Sequence, residues 1–446
     1  MNKMKKKLLI FALLTLVLSA LLLTSCSKSD DGEPTFTGET KVLNVYNWGE
    51  YISDGSLGTL DTNSEFENYF NTKLAEKYGF YIKVNYTTYA TNEDMYSKLK
   101  SGAGTYDIVV PSDYMIEQMI SEDMLLKFDV TSLENYKYID DAFKGENAYY
   151  DPTNEYSVPY TYGMVGIIYN TALVDEEDYA SNSWDLLWNE KYKGKILQFN
   201  NPRDAFASAM FASDLNINST DEAVWQAALN KLSEQKPLVQ GYVNDEIFNK
   251  MTTASAAIAP YYAGDYITMA SQNEDLSFYY PTEGTNYFVD AMCICKNANY
   301  PEVAKEYINF MLTKKVAVAN ALYIGYASPN TLVKDDPDYI AEMGEDAIDI
   351  LYRISPADIN KSYTEKHGTA GYRSLVVLGI QDKVNMLWES LKTENSTEMW
   401  VHISCGVILL GVFSLTAYDI YIKKKRSHDY RMRDKQLAKQ KKSKNA

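Results

Sequence analysis

An α/β fold divided between two globular regions is the architecture that this sequence predicts. The chain has 446 residues, of which 46% are hydrophobic and 23% are charged, so it is long enough and balanced enough for two folded domains. From residue 41 onward, strand-like and helix-like patterns alternate, and a second region of this kind extends from about residue 163 to residue 288. Strands that alternate with helices form parallel sheets, because each helix returns the chain to the same edge.

The first region shows the order strand, helix, strand, helix, strand. The predicted strands are 41–48, 81–89 and 106–110, and the predicted helices are 64–78 and 92–99. Four apolar residues at helical spacing predict the first helix and its buried face: Phe66, Phe70, Leu74 and Tyr78. Ligands of open α/β sheets bind beyond the carboxyl ends of the strands. Residues 48–51 and 112–114, which follow two of the strands, are therefore the first candidates for a binding site.

The second region and the segment after it add further elements. The predicted helices are 183–188, 221–233 and 302–312, and a strand is predicted at 256–259. Pro301 precedes the last of these helices and suits its first turn, since the missing N–H of proline costs nothing there. The second region therefore also has the elements of an α/β domain.

Residues 1–25 are predicted to form a lipoprotein signal peptide. Lysines at positions 3, 5, 6 and 7 precede an apolar run from Leu8 to Leu23, which is the layout of an export signal. The segment from Leu23 to Cys26 (LTSC) resembles the lipobox of bacterial lipoproteins, which implies cleavage before Cys26 and a lipid on that cysteine. A plain signal peptide with an incidental cysteine is the alternative. Residues 26–40 are polar and are expected to form a flexible tether.

Residues 400–422 are predicted to form a transmembrane helix. They contain an apolar stretch of about 20 residues, close to the length that a helix needs to cross a bilayer. Trp400 and Tyr418 suit the two interfaces, and the basic tail 423–446 is expected on the cytoplasmic side. A buried or surface-lying helix is the alternative, because the segment also contains His402 and Asp419. The bulk of the chain is thus expected on the extracytoplasmic face of the cell membrane.

Charge and composition restrict the classes of function. The net charge is −17 although both ends are rich in lysine, so the exterior part is expected to repel nucleic acid and to attract cations. Solubility alone would also account for this charge. The exterior part has one histidine, His367, which disfavours zinc chemistry built on several histidines, and we expect no metal or other cofactor. Cys293 and Cys295 lie two apart on an apolar strand and are expected to be buried thiols.

Five short motifs stand in order between about residue 41 and residue 391. They are Tyr46 to Tyr51 (YNWGEY), Tyr106 to Ser112 (YDIVVPS), the SW, LW and YKGK segments of residues 183–195, PTEG at 281–284, and Ile324-Gly325-Tyr326. In this order and spacing they resemble the spermidine/putrescine-binding proteins of bacterial ABC importers. The resemblance implies an α/β, two-lobed periplasmic-binding-protein fold of type II with a cleft between the lobes.

The resemblance also implies how the chain is divided and what it does. Residues 41–160 with 290–328 would form lobe 1, and residues 161–289 with 329–392 would form lobe 2. The protein would be a monomeric substrate-binding component and not an enzyme. It would capture a polyamine and deliver it to a membrane permease that works with an ATPase.

A polyamine calls for a particular kind of site. It is an apolar chain with an ammonium group at each end, so it needs aromatic faces along its middle and carboxylates near its ends. The chain has 38 tyrosines, most of which ordinary packing would explain. For the first lobe, the resemblance implies the stacking walls Trp48 and Tyr51, Glu50 between them, and Ser112 and Tyr114 beside an ammonium group.

The resemblance implies seven further ligand-binding residues: Asn201, Asp204, Tyr262, Asp265, Phe288, Asp290 and Tyr326. Asp290 would hold one amine. Tyr262 would replace a tryptophan wall of relatives, and Tyr326 would close the floor of the site. Asn201 stands where spermidine-binding relatives carry an acid, so one expected carboxylate is absent.

Three other functions are compatible with the sequence. The missing acid at Asn201 leaves open another small organic cation or an amino acid derivative as the ligand. The predicted C-terminal span leaves open a polyamine-sensing receptor, although the short basic tail has no room for an output domain. A surface enzyme, such as a hydrolase with two carboxylates, is the third, and the sequence shows no motif for one. The preference between putrescine and spermidine is not predicted.

Overall fold

The computed structural model describes residues 37–393, residues 416 and 418, and residues 422–425. The predicted signal peptide, Cys26, and nearly all of the predicted span 400–422 and of the tail 423–446 lie outside these residues. Among the described residues, no helix combines the length and the apolar composition that a bilayer crossing requires.

Nine β-strands occur within residues 37–393. In chain order they are β1 (Thr40–Trp48), β2 (Tyr81–Tyr89), β3 (Ile108–Val109), β4 (Ser157–Asn170), β5 (Ile196–Phe199), β6 (Val239–Val243), β7 (Ile258–Tyr262), β8 (Leu276–Tyr279) and β9 (Tyr287–Ile294). The predicted strands 41–48, 81–89, 106–110 and 256–259 correspond to β1, β2, β3 and β7.

The α-helices of the same range, in chain order, are α1 (Thr62–Lys73), α2 (Ala75–Tyr78), α3 (Asn92–Lys100), α4 (Asp113–Ser121), α5 (Glu176–Tyr179), α6 (Pro202–Ala212), α7 (Glu222–Gln235), α8 (Glu246–Thr252), α9 (Ala263–Ala270), α10 (Pro301–Met311), α11 (Lys314–Ile324), α12 (Thr331–Lys334), α13 (Pro337–Met343), α14 (Glu345–Ile348), α15 (Pro356–Ile359), α16 (Lys361–His367) and α17 (Gln381–Thr393). Short 3-10 helices cover Ser56–Gly58, Val130–Ser132, Glu134–Tyr138, Asp141–Phe143, Gly145–Asn147, Trp184–Trp188, Glu190–Tyr192 and Lys236–Leu238, and a π-helical turn covers Asp349–Arg353.

Two predicted helices differ from the structure. The predicted helix 64–78 is divided into α1 and α2 at Leu74, whose φ of −120° departs from helical geometry. The predicted helix 183–188 is a 3-10 helix that spans Trp184–Trp188. Its first residue is anchored from outside the helix, because Trp184 Nε1 donates a 2.8 Å hydrogen bond to the carbonyl oxygen of Gly284. A segment of five residues also cannot form more than one α-helical hydrogen bond.

Two compact units divide the described residues. Unit 1 contains residues 37–162 and 289–348, and unit 2 contains residues 163–288 and the described residues from 349 onward. The chain passes from one unit to the other three times, twice within a strand, namely β4 and β9. The sequence analysis assigned all of residues 329–392 to lobe 2, whereas residues 329–348 lie in unit 1.

Non-local contacts hold residues 329–348 in unit 1. The side-chain Nδ2 of Asn330 donates a 2.8 Å hydrogen bond to the carbonyl oxygen of Leu312. The carboxylate of Asp336 forms a 2.8 Å ion pair with Lys314 on α11. Both partners lie outside the segment itself, so no local pattern in residues 329–348 could indicate them.

The sheet of unit 1 is built on parallel pairing. β1 lies between β2 and β3 and is parallel to both, and β3 pairs antiparallel with β9. The pairing of β1 with β2 ends at Trp48 opposite Tyr89, so the carboxyl ends of the two strands reach the same edge. Phe66 and Phe70 of α1 are fully buried, which confirms the predicted apolar face of this helix.

The sheet of unit 2 is mixed and contains one very close strand contact. β4 pairs antiparallel with β7 and β8, and β5 pairs parallel with β6 and β7. Gly166 in β4 has no space for a side chain, because a Cβ there would lie 2.2 Å from the ring of Phe278 and 2.6 Å from the carbonyl oxygen of Tyr279. The approach of β8 to β4 therefore requires glycine at this position.

The Gly166→Ala variant should be destabilised. The added Cβ overlaps the Phe278 ring and the backbone of Tyr279, and overpacking of this kind lowers the free energy of unfolding by about 2 kcal/mol. The matched control is Gly241→Ala in β6, where no atom lies within 4 Å of the added Cβ. Urea unfolding followed by tryptophan fluorescence should show a loss of stability in the first variant alone. Equal stability of the two variants would contradict the close strand contact.

Candidate ligand-binding site

Two aromatic residues at the end of β1 begin the site in unit 1. The Nε1 of Trp48 donates a 2.9 Å hydrogen bond to the carbonyl oxygen of Val110, and its ring centroid lies 4.7 Å from that of Tyr89. Tyr51 follows after a short turn, with its ring centroid 6.4 Å from that of Trp48. The hydroxyl of Tyr51 donates a 2.6 Å hydrogen bond to Oδ2 of Asp290. The ring of Trp48 is thus fixed at the end of β1, and Tyr51 is hydrogen-bonded to the carboxylate of Asp290.

Asp290, in β9, is the central carboxylate of unit 1. The residue is 4% exposed, and its Oδ1 has no hydrogen-bond partner among the described residues. Burial raises the pKa of this carboxyl to about 6, while the hydroxyls of Ser112, Tyr51 and Thr161 favour the charged form. A buried carboxylate oxygen without a donor destabilises the folded protein. A ligand that supplies an N–H donor would remove this penalty.

Asn92, at the start of α3, connects two of the predicted contact residues. Its Nδ2 donates hydrogen bonds of 3.0 Å to the hydroxyls of both Ser112 and Tyr114, and its Oδ1 accepts a 3.2 Å bond from the N–H of Ser112. Ser112 is also bridged to Asp290 in antiparallel fashion. The predicted residue Ser112 therefore lies beside Asp290. Asn92 positions it and was missed by the sequence analysis, although it stands three residues beyond the end of β2.

Further rings surround Tyr51 within unit 1. The ring centroids of Tyr160 and Tyr326 lie 6.0 Å and 6.3 Å from that of Tyr51, and Oγ1 of Thr161 lies 2.8 Å from its hydroxyl oxygen. Tyr326 follows Gly325, which ends α11 with a φ of 76°, a conformation that favours glycine. The predicted residues Trp48, Tyr51 and Tyr326 thus belong to one group with Asp290.

Asp204, in the first turn of α6, is the central carboxylate of unit 2. The residue is 7% exposed. Its Oδ2 accepts hydrogen bonds from the Tyr262 hydroxyl at 2.6 Å and from Asn201 Nδ2 at 2.8 Å. Its Oδ1 accepts a 2.8 Å bond from the hydroxyl of Tyr372. These three donors are uncharged, so they orient the carboxylate without neutralising it.

Asn201 is the N-cap of α6. Its Oδ1 accepts a 2.8 Å hydrogen bond from the backbone N–H of Asp204, and its Nδ2 donates to the side chain of the same residue. Asparagine is among the preferred N-cap residues because its side-chain oxygen satisfies a free N–H of the first turn. Both ends of the amide are therefore engaged with Asp204, and Asn201 acts as a positioning residue.

Aromatic residues also surround the carboxylate of unit 2. The ring centroid of Tyr262 lies 5.5 Å from that of Phe288, in an edge-to-face arrangement. The guanidinium carbon of Arg203 lies 4.5 Å from the ring centroid of Tyr372. Tyr372 and Arg203 were missed by the sequence analysis. Tyr372 stands 168 residues after Asp204, and no local pattern connects the two.

Two predicted acids lie at the margins of these groups. Glu50 is exposed and has a left-handed backbone, with a φ of 51°. Its carboxylate accepts a 2.9 Å hydrogen bond from the hydroxyl of Tyr323. Asp265 is half-buried in the first turn of α9. Their contact with a ligand stays a prediction.

The two groups have the same chemistry. Each contains a buried carboxylate that is held by tyrosine hydroxyls and flanked by aromatic rings, an arrangement suited to an organic cation. Within residues 37–393, no cluster of three or more His, Cys, Asp or Glu side chains could hold a metal ion. Fold and site together define a protein that binds a small solute.

Comparison with known proteins identifies the family. Residues 70–344 match the family of bacterial extracellular solute-binding proteins, and the chain belongs to it. The spermidine/putrescine-binding periplasmic protein of Escherichia coli is 32% identical over 293 residues, which cover 66% of this chain and 78% of the relative. The putrescine/cadaverine-binding protein of Pseudomonas aeruginosa is 25% identical over 303 residues, which cover 65% and 79% of the two chains.

Solved structures agree with these relatives. PotD, the substrate-binding protein of a spermidine/putrescine ABC transporter from Streptococcus pneumoniae, superposes with a TM-score of 0.62 at 30% identity. The match covers 79% of this chain and 99% of that one. The predicted resemblance and the predicted α/β periplasmic-binding-protein fold with two domains are thereby confirmed.

The buried carboxyl of Asp290 should make the ligand-free protein less stable as the pH rises. Its pKa in the folded protein, about 6, lies above the value of about 3.9 expected for an unfolded aspartate. Between these values the folded state holds more protons, so the free energy of unfolding falls as the pH increases. The neutral isostere Asp290→Asn should be about 3 kcal/mol more stable than the wild type at pH 7.5 and within about 0.5 kcal/mol of it at pH 4.

Urea unfolding at both pH values measures this difference. The matched control is Asp123→Asn, which removes a carboxylate that is 77% exposed and paired with Lys296. Asparagine tolerates the positive φ of 54° at this position as well as aspartate does. The control should gain no stability at either pH. A loss of stability in Asp290→Asn at pH 7.5 would contradict the assigned burial of this carboxylate.

Proposed function

We propose that this chain is the extracytoplasmic substrate-binding component of an ABC importer and that it captures putrescine, spermidine or both for delivery to the permease. The observation that carries the proposal is Asp290, a buried carboxylate whose Oδ1 has no partner among the described residues. Tyr51 donates a hydrogen bond to its other oxygen, and the ring centroid of Trp48 lies 6.4 Å from that of Tyr51. An ammonium group would supply both the missing donor and the missing positive charge.

Unit 2 offers a second group of the same kind to an ammonium group. Asp204 is also buried, and its donors Tyr262, Tyr372 and Asn201 are uncharged. Putrescine and spermidine carry ammonium groups separated by methylenes. Tyrosine and tryptophan faces contribute about 0.5 to 2 kcal/mol for each cation they cover and also shield methylenes from water. The relatives are named for binding spermidine, putrescine or cadaverine, which points to the same class of ligand.

The proposed contact set keeps the predicted residues but gives them different roles. Asp290 and Asp204 hold ammonium groups, and Trp48, Tyr51, Tyr262, Phe288 and Tyr326 supply aromatic faces. Ser112 and Tyr114 contribute hydroxyls near Asp290. Asn201 acts through Asp204, while Glu50 and Asp265 add negative charge at the margins.

Binding without catalysis is the role that we propose. Every relative compared above is named for what it binds, and the family is one of solute-binding proteins. Transfer to a permease requires release of an unchanged ligand. Selectivity against metal ions follows from the number of oxygen ligands. Ca²⁺ needs six to eight of them, and neither carboxylate group provides that many to an ion without its water shell.

We also propose that the chain is a monomer held at the membrane by a lipid on Cys26 and by a helix over residues 400–422. The support is the sequence pattern alone. The full chain should incorporate labelled palmitate when it is produced in bacteria, and Cys26→Ser should not. The Cys26→Ser variant should nevertheless remain in the membrane fraction, because the helix would still hold it. A further truncation after residue 393 should release the variant, and its retention would contradict this proposal.

Thermal unfolding with different amines tests the proposed ligand. Putrescine or spermidine should give the largest rise in melting temperature in a series that also contains spermine, cadaverine and lysine. A ligand at about 100 times its dissociation constant adds about 2.7 kcal/mol to the free energy of unfolding. Absence of a rise with every diamine and triamine would overturn the proposed function.

The variants Asp290→Asn and Asp204→Asn extend this experiment to both units. Each should lose most of the rise, because each removes one carboxylate that holds an ammonium group. Since Asp290→Asn is expected to be more stable than the wild type without ligand, its loss of response cannot come from unfolding. The Asp123→Asn control should respond like the wild type. An unchanged response in Asp290→Asn would remove this residue from the site.

A further inference from the structure

A second buried carboxylate of unit 1 is hydrogen-bonded to the residue that precedes Asp290. Asp113, the first residue of α4, is fully buried. Its Oδ2 accepts hydrogen bonds from the hydroxyl of Tyr149 and, at 3.2 Å, from the backbone N–H of Val289. Its Oδ1 accepts a 2.6 Å bond from the N–H of Tyr114. Val289 immediately precedes Asp290, so this network joins Asp113 to the strand residue next to the central carboxylate.

The groups that face these two carboxylates provide no positive charge. They are Tyr149 from the loop before β4, Tyr114 from α4, Tyr51 after β1 and Tyr89 at the end of β2. Burial and the charge of Asp290 raise the pKa values of Tyr51 and Tyr89 well above the usual value, so both stay neutral. Among the described residues, no basic side chain is a cause of the pKa shift of either aspartate.

We infer that Asp113 is a second acidic residue of the amine site in unit 1 and that ligand binding expels a proton from Asp113 and Asp290. The inference rests on the proposed function, because it requires an ammonium ligand next to Asp290. The unpartnered Oδ1 of Asp290 marks where that ligand would bind. The expelled proton passes from a carboxyl group to solvent, and the ligand keeps its own ammonium protons.

Electrostatics gives the direction of this coupling. Burial and, to a smaller extent, the charge of Asp290 raise the pKa of Asp113 to about 7, so the ligand-free pair still holds protons near neutral pH. An ammonium group nearby favours both charged carboxylates. Binding must therefore release protons below about pH 7, and the affinity must increase with pH until both groups are ionised in the free protein.

Isothermal titration of the full chain with putrescine at pH 6 and pH 8 tests the inference. Aliphatic ammonium groups lose their protons only near pH 10, so the ligand keeps its charge in this range. If both carboxyl groups must ionise, the wild type should bind about twentyfold more weakly at pH 6 than at pH 8, and Asp113→Asn only about twofold more weakly. Repeating the pH 6 titration in buffers of different ionisation enthalpy counts the released protons.

Two further variants distinguish an effect on the ionisation of Asp113 from a folding defect. Asp123→Asn, two residues beyond the end of α4, removes an exposed acid and should keep the twentyfold ratio. Tyr149→Phe removes a donor that stabilises charged Asp113, so it should make the ratio larger than in the wild type. A purely structural role of Asp113 would leave the pH ratio unchanged in Asp113→Asn.

The outcomes separate this inference from the proposed function. Putrescine binding that is independent of pH, or an unchanged ratio in Asp113→Asn, would overturn the inference and leave polyamine binding intact. Failure of every amine to bind at either pH would overturn both. Proton release at pH 6 that is larger in the wild type than in Asp113→Asn, where only Asp290 still contributes, would establish the coupling.

Discussion

Burial of carboxylates without basic partners is the constraint on which the rest of this structure depends. Asp290 and Asp113 are held by hydroxyl and backbone donors, and one oxygen of Asp290 has no donor among the described residues. Burying a charge in this way costs free energy, which appears as the raised pKa values of both groups. The folded protein thus keeps a buried carboxylate oxygen unsatisfied, and in the proposed function a bound cation would compensate for this loss of stability.

The surrounding elements serve to hold these groups in place. Parallel pairing brings the carboxyl ends of β1 and β2 to one edge, where the ring centroids of Trp48 and Tyr89 lie 4.7 Å apart. Ser112 is the N-cap residue of α4 and is bridged to Asp290. Tyr51, which follows β1, donates a hydrogen bond to the same carboxylate, so a shift of either segment would alter the surroundings of Asp290. In unit 2 the helix start at Asn201 does the same for Asp204, since the N-cap bonds both the backbone and the side chain of that residue.

Sequence patterns predicted those features that depend on residues close together in the chain. Periodic apolar residues predicted the buried face of α1, and strand ends indicated Trp48 and Ser112. The pattern could not predict that residues 329–348 join unit 1, because the contacts of Asn330 and Asp336 involve distant residues.

Tyr372 could not be predicted for the same reason as the placement of residues 329–348, because its contact with Asp204 joins residues that are 168 positions apart. Asp113 stands within the candidate segment 112–114 but was not predicted as a ligand-binding residue, for a different reason. It follows Ser112 directly, but an isolated aspartate is usually solvated, and its burial becomes visible only when Tyr149 and Val289 are seen to bond it.

The placement of acids along the chain explains how a cation site could persist without an acid at position 201. Asparagine there donates to Asp204 instead of repelling it, so the carboxylate group of unit 2 has one negative charge fewer than an acid at that position would give. In unit 1, Asp113 adds a negative charge next to Asp290. The ionisation of the pair Asp113 and Asp290 depends on pH near neutrality. In the proposed site of unit 1 a cation would therefore bind most tightly where this pair is ionised, and the pH outside the cell would influence how much ligand is captured.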